Sequence, residues 1–158
     1  MRFRPQYVLT AVLSLALAAC GGGMVKRVSE PAAGIQQLTV ANDGSWDVEL
    51  RLRNYSSMPM RFDDVSLRIK VGDEDAGTLN AAPGLSIGPE SADVIKVRLQ
   101  PASPARIVVA DALAGGRSLF YELEGTVKAT PEEKKQRSFE VKARNTLNQA
   151  PGLPGVLR

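Results

Sequence analysis

From Trp46 the chain alternates without a break: Trp46, Val48, Leu50 and Leu52 are apolar, and Asp47, Glu49, Arg51 and Arg53 between them are charged. Successive side chains of a strand point to opposite faces, so eight residues of period two predict a strand with one buried and one wet face. The same period returns in Val65, Leu67, Ile69 and Val71, separated by Ser66, Arg68 and Lys70. It returns again in Ile95, Val97 and Leu99 against Lys96 and Arg98, and in Leu119, Tyr121 and Leu123 running on to Gly125 and Val127. A last run sets Phe139, Val141 and Ala143 against Glu140, Lys142 and Arg144. Weaker runs over 36–41 and 76–79 bring the expected total to about seven strands.

Turn chemistry separates these runs: Asn42-Asp43-Gly44, Gly72-Asp73-Glu74-Asp75, Pro83-Gly84 and Gly88-Pro89. Such residues cap or turn the backbone, and the first cluster sits where a hairpin would join the first two strands. One helix is expected between strands, with Ser103 as N-cap, Pro104 at the first helical position, Val109 and Leu113 on one face and Gly115 at the end. The β-branched triplet Ile107-Val108-Val109 argues instead for another strand, and the capping signals outweigh it. Antiparallel strands with one polar face each bury their other faces by stacking two sheets. The expected fold is therefore mainly β, an immunoglobulin- or fibronectin-III-like sandwich with one short helix.

The chain has no histidine and a single cysteine, which removes the side chain that titrates nearest neutrality and every Cys/His zinc site. That cysteine, Cys20, closes the N-terminal segment. Arg2 and Arg4 precede a run from Val8 to Ala19 broken only by Thr10 and Ser14, the n-region and h-region of a secretory signal. Twelve helical residues rise only about 18 Å, short of the roughly 30 Å of bilayer hydrocarbon. Leu17-Ala18-Ala19-Cys20 resembles the lipobox of bacterial lipoproteins: an aliphatic residue, two small residues, then the cysteine. The resemblance implies cleavage before Cys20 and diacylation of its thiol, giving a membrane anchor of two or three acyl chains. Gly21 stands where an inner-membrane retention aspartate would sit in enteric bacteria, which favours the outer membrane facing the periplasm. The expected division is a signal peptide over 1–19, a lipidated flexible tether over 20–34, one sandwich domain over 35–146 and an extended or disordered tail over 147–158. Removing Arg2 and Arg4 with the signal takes 20 basic side chains to 18 against 17 acidic ones, about +1, which gives no nucleic-acid-seeking patch.

The order of elements resembles the late embryogenesis abundant type 2 domain, also called the water stress and hypersensitive response domain, from about Ile35 to Ala143. The likeness is carried by the strand over Val48 to Arg53 and by the break Asn54-Tyr55-Ser56-Ser57-Met58-Pro59-Met60. It is carried further by the turn Gly88-Pro89-Glu90-Ser91 and by Tyr121-Glu122-Leu123-Glu124-Gly125-Thr126-Val127. The family commonly writes the break as Asn-Pro-Asn followed shortly by proline; here Asn54 and Pro59 are kept and Tyr55-Ser56 replaces the Pro-Asn pair. The resemblance implies a stress-associated protective module without catalytic residues or cofactor, in which Asn54 and Pro59 have a structural role.

Other constellations carry less. Asp63-Asp64 and Asp73-Glu74-Asp75 offer carboxylates for calcium but lack the spaced ligand-loop form. Enzyme chemistry would need titrating groups gathered in a cleft, and no known motif announces them. Arg51, Arg53, Arg68, Lys70, Lys96 and Arg98, with Asp47 and Glu49 of opposite sign, read as wet sheet faces with cross-strand ion pairs; the sharper reading is a docking face for an envelope partner or anionic headgroups. Tyr55, Met58, Met60 and Phe62 read as a core corner rather than an exposed apolar contact. The expected function is a non-enzymatic, lipid-anchored envelope protein acting in osmotic or drying stress. The rival is a carrier whose sheets part around an apolar ligand, which large inward side chains disfavour.

Overall fold

The computed structural model describes residues 26–158, so the expected signal peptide and lipobox, Leu17, Ala18, Ala19 and Cys20, lie outside the described residues. Among the described residues nine strands and one helix follow in order: β1 (Ala32–Val40), β2 (Trp46–Arg53), β3 (Met60–Val71), β4 (Glu74–Ala81), β5 (Leu85–Ile87), β6 (Ala92–Leu99), α1 (Ser103–Ala114), β7 (Leu119–Pro131), β8 (Arg137–Leu147) and β9 (Val156–Leu157). They form two antiparallel sheets, one in the order β6-β2-β1-β9 and the other β4-β3-β7-β8 with β5 paired to the start of β3.

The alternation read along each strand becomes the interior. Trp46, Val48, Leu50 and Leu52 of β2 are at most 1% exposed, and they face Val65, Leu67, Ile69 and Val71 of β3 and Leu123 and Val127 of β7 in one core. At the first hairpin the Asp43 carboxylate accepts the Ser45 N–H at 3.0 Å and the Ser45 hydroxyl at 2.6 Å, while Gly44 takes φ +81°, the left-handed conformation that glycine adopts without strain. Gly125 breaks the apolar alternation of β7 for a different reason. Where β7 crosses Ser66 a Cβ would overlap the Ser66 carbonyl oxygen, so the two backbones approach as only glycine allows.

Four details depart from the sequence reading. Ala102, not Ser103, is the N-cap: its carbonyl accepts the Arg106 N–H at 3.1 Å with no side-chain cap, which moves Pro104 to the second helical position, still inside the turn whose N–H groups have no partner. β1 starts at Ala32, because Ala32 to Ile35 continue the ladder with β2 as far as Arg53; the Ile35 N–H donates to the Tyr121 hydroxyl at 3.0 Å. The tether reading ends early, since residues from Lys26 onward are already bound to the domain. The tail also returns to the fold: the Gly155 carbonyl accepts the Val40 N–H at 2.9 Å, Val156 and Leu157 pair with Thr39 and Leu38, and Leu157 is fully buried. The Pro-Gly pairs at 151–155 are turns of a hairpin rather than a disordered end, as the Ala150 N–H to Val156 carbonyl bond at 2.9 Å shows.

Candidate functional site

The loop after β2 is organised by one side chain. Asn54 is fully buried; its Nδ2 donates to the carbonyls of Met58 at 2.9 Å, Ile87 at 3.1 Å and Gly88 at 2.9 Å, and its Oδ1 accepts the Ser56 N–H at 2.8 Å. Its own N–H donates to the Ser91 carbonyl at 2.8 Å. A buried loop must satisfy its backbone groups without water, and a primary amide does so by offering two donors and an acceptor from one position. Asn54 thus ties the 54–59 loop to the 87–91 turn, while the Pro59 carbonyl accepts the Glu132 N–H at 3.0 Å and joins the end of β7 to the same cluster.

The N-terminal segment is strapped across this loop. The Ser29 N–H donates to the Ser56 hydroxyl at 2.9 Å, the Arg27 N–H donates to the Ser57 hydroxyl at 2.7 Å, and the Ser57 N–H returns a bond to the Arg27 carbonyl at 3.0 Å. Two acidic residues held at positive φ, Glu90 at 51° and Glu133 at 60°, stand beside the strap and pair with Arg27 at 3.8 Å and Lys26 at 2.6 Å. These pairs are exposed and weak in water, so the serine and backbone bonds hold the strap. Asn54 was visible in the sequence; its serine neighbours Ser56 and Ser57, and their partners Arg27 and Ser29, were not singled out, though two serines after an asparagine are a signal for side-chain capping of a loop.

A second feature lies along β1. A cleft of about 240 Å³ is lined by Ala32 to Ile35, Arg51, Arg53, Tyr121 and Asn145. Tyr121 is 2% exposed, and burial pushes its hydroxyl above the ordinary tyrosine value, so it stays protonated. Arg53 also stacks over the half-exposed Tyr55 ring, 4.8 Å from its centroid. Met58, Met60 and Phe62, grouped with Tyr55 in the sequence, are at most 2% exposed and form the core corner.

Of the carboxylates that could offer calcium ligands, Asp63, Asp64 and Asp75 are held by protein donors. Asp63 accepts from Arg61 Nε at 2.6 Å, Thr130 Oγ1 at 2.5 Å and Gln136 Nε2 at 3.0 Å. Burial alone would raise its pKa, but these bonds hold it below the usual carboxylate value. Asp64 faces Lys128 at 3.6 Å; Asp75 pairs with Arg68 and accepts the Gly77 N–H at 2.9 Å. Among the described residues no three carboxylates gather with metal-binding geometry. The wet faces carry cross-strand pairs: Glu49 with Lys96 at 3.5 Å, Glu122 with Arg144 at 3.0 Å and Glu124 with Lys142 at 2.7 Å. Arg98, opposite Asp47 in register, reaches past it to Asp43 at 2.7 Å and the Ser45 hydroxyl at 2.7 Å.

Among the described residues two antiparallel sheets, one short helix and a buried asparagine tying two loops together define a class of small β-sandwich. The model of the late embryogenesis abundant protein family (LEA_2) matches residues 49–145. This chain belongs to that family. Its fold is similar to the solution structure of AT1g01470 from Arabidopsis thaliana, at 11% identity and TM-score 0.57, covering 87% of this chain and 94% of that one. It is also similar to the solution structure of At2g46140.1, described as a candidate late embryogenesis abundant (LEA) protein, at 14% identity and TM-score 0.50, covering 92% of this chain and 85% of that one. Among curated proteins none matches the chain.

Proposed function

We propose that the chain is exported, cleaved before Cys20 and lipidated on that thiol, and that it serves as a non-enzymatic protective or protein-binding module in the cell envelope under osmotic or drying stress. Family membership supports the stress association, the lipobox-like Leu17-Ala18-Ala19-Cys20 supports the anchor, and Gly21 in the place of a retention aspartate supports the periplasmic face of the outer membrane. The observation that carries the reading is the strap. Five residues separate Cys20 from Lys26, and six residue steps of fully extended chain span only about 20 Å. With Arg27 and Ser29 bonded to the 54–59 loop, an anchored domain has little freedom to tumble and turns its Asn54 end toward the bilayer. An envelope protein partner would meet the opposite end or the charged sheet faces.

The filled interior supports a shielding or binding role over the carrier reading. Leu38, Leu50, Leu52, Met60, Leu67, Ile69 and Leu79 are fully buried, so the sheets would have to part to admit an apolar guest. The test pairs fractionation with drying survival. Cys20→Ser is expected to move the protein from membrane to soluble fractions and to reproduce the survival loss of a gene deletion. Unchanged survival of the deletion strain would refute the protective role; unchanged membrane retention of Cys20→Ser would refute the anchor.

A further inference from the structure

The geometry points to an anion site in the cleft along β1, one that takes a phosphate group through Arg51 and Arg53. Most other cations on the strands are answered by an acid, Lys70 and Arg137 excepted: Lys96 by Glu49, Arg98 by Asp43, Arg68 by Asp75, Lys128 by Asp64, Lys142 by Glu124 and Arg144 by Glu122. Arg51 and Arg53 have no ion pair among the described residues, and the strand register explains why. Arg51 lies between Gly34 of β1 and Val94 of β6, and Arg53 between Ala32 and Ala92, so every cross-strand neighbour is small or apolar. The same small residues floor the cleft and leave room for a ligand beside both guanidinium groups.

Two further donors close the cleft from the other sheet. The Tyr121 hydroxyl accepts the Ile35 N–H and keeps its own proton, for which the described residues supply no acceptor; the Asn145 amide stands next to it in register across β7 and β8. A carboxylate has two oxygens in one plane and is satisfied by a single arginine fork. Two guanidinium groups on one strand, with a hydroxyl and an amide arriving from a second sheet, suit the tetrahedral oxygens of a phosphate, and about 240 Å³ leaves space for the group it is esterified to. The phosphate could belong to a lipid headgroup or to a soluble molecule. The site stands on the described domain and does not depend on the anchor.

The test is an amide NMR titration of the full chain carrying Cys20→Ser in non-ionic detergent, with inorganic phosphate, dihexanoyl phosphatidic acid and acetate as separate probes. Saturable shifts are expected at Gly34, Arg51, Arg53 and Asn145 with both phosphate probes, with acetate much weaker. Affinity should fall about tenfold or more in Arg51→Gln/Arg53→Gln and stay unchanged in Lys70→Gln/Lys135→Gln, which removes equal charge elsewhere. Gly34→Asp, at a position with room for a side chain, should fold and abolish binding by giving the arginines a carboxylate of their own. Tighter binding of phosphatidic acid than of phosphate assigns the site to a headgroup; equal binding assigns it to a soluble phosphate. Shifts spread evenly over the surface, acetate binding as well as phosphate, or undiminished affinity in the Arg51→Gln/Arg53→Gln protein would overturn the site.

Discussion

Replacing Asn54 with alanine removes the two donor protons shared by the Met58, Ile87 and Gly88 carbonyls and the acceptor of the Ser56 N–H. A net hydrogen bond contributes about 1 kcal/mol, and a buried group left without a partner costs about 1–3 kcal/mol. Four bonds lost from a fully buried side chain, only the one to the Gly88 carbonyl lying where water can reach it, predict a loss of about 3 kcal/mol. Trp46 is the only tryptophan and is 1% exposed, so its fluorescence in a urea titration reports global unfolding directly. With a urea m-value of about 2 kcal/mol/M, the midpoint should fall by about 1.5 M at unchanged slope. Asn54→Asp should be worse at pH 7, because it keeps the Ser56 acceptor but turns a carboxylate toward three carbonyl oxygens. A midpoint shift below about 0.5 M for Asn54→Ala, or an Asn54→Asp protein as stable as the alanine variant, would refute the assignment of this side chain as the organiser of the loop.

Gly125→Ala should destabilise by about 3 kcal/mol or more, since the new methyl meets the Ser66 backbone rather than a side chain that can move; thermal unfolding by circular dichroism checks it, and a melting temperature near wild type would contradict the close approach. Deleting residues 148–158 removes Val156 and Leu157 and uncovers Leu38, which at about 1.5–3 kcal/mol per buried side chain predicts a loss of about 4 kcal/mol in the same assay; an unaffected truncation would return the tail to a disordered end. Stability should be flat between about pH 6 and 8, where a chain without histidine has no side chain of ordinary pKa to titrate. It should fall in acid. Asp43 is held low by the Ser45 hydroxyl, Asp75 by Arg68, and Asp63 by bonds that outweigh its burial, so what they contribute is complete above the unfolded value near 4 and is lost as pH drops through the folded values. Asp63→Asn should shrink that acid loss, and a transition centred near pH 6.5 would contradict the scheme.

The long strands were legible because each carries its own period: Trp46 to Arg53 announces both its face and its length without knowledge of any neighbour. Asn54 was legible as part of a motif, although nothing local says that its amide reaches Ile87 and Gly88. What escaped depends on partners distant in sequence. The three residues of β5 and the two of β9 are too short to show a period, and β9 hides behind Pro-Gly pairs that read as disorder until the hairpin brings Leu157 onto Leu38. The strap escaped because the glycines and alanines between Gly21 and Gly34 mask Arg27 and Ser29, whose value comes only from meeting Ser56 and Ser57. The distinction between Arg51 or Arg53 and the paired cations was likewise invisible. It follows from strand register, which sets Gly34 and Ala32 where the other strands set acids.

Mass spectrometry of the N-terminal fragment of the protein purified from its native membranes tests the anchored-sandwich account most directly. Anchoring through Cys20 predicts a processed chain that begins at Cys20 and carries a diacylglycerol on its sulfur. A fragment with a free Cys20 thiol, or a chain still joined to residues 1–19, would contradict it.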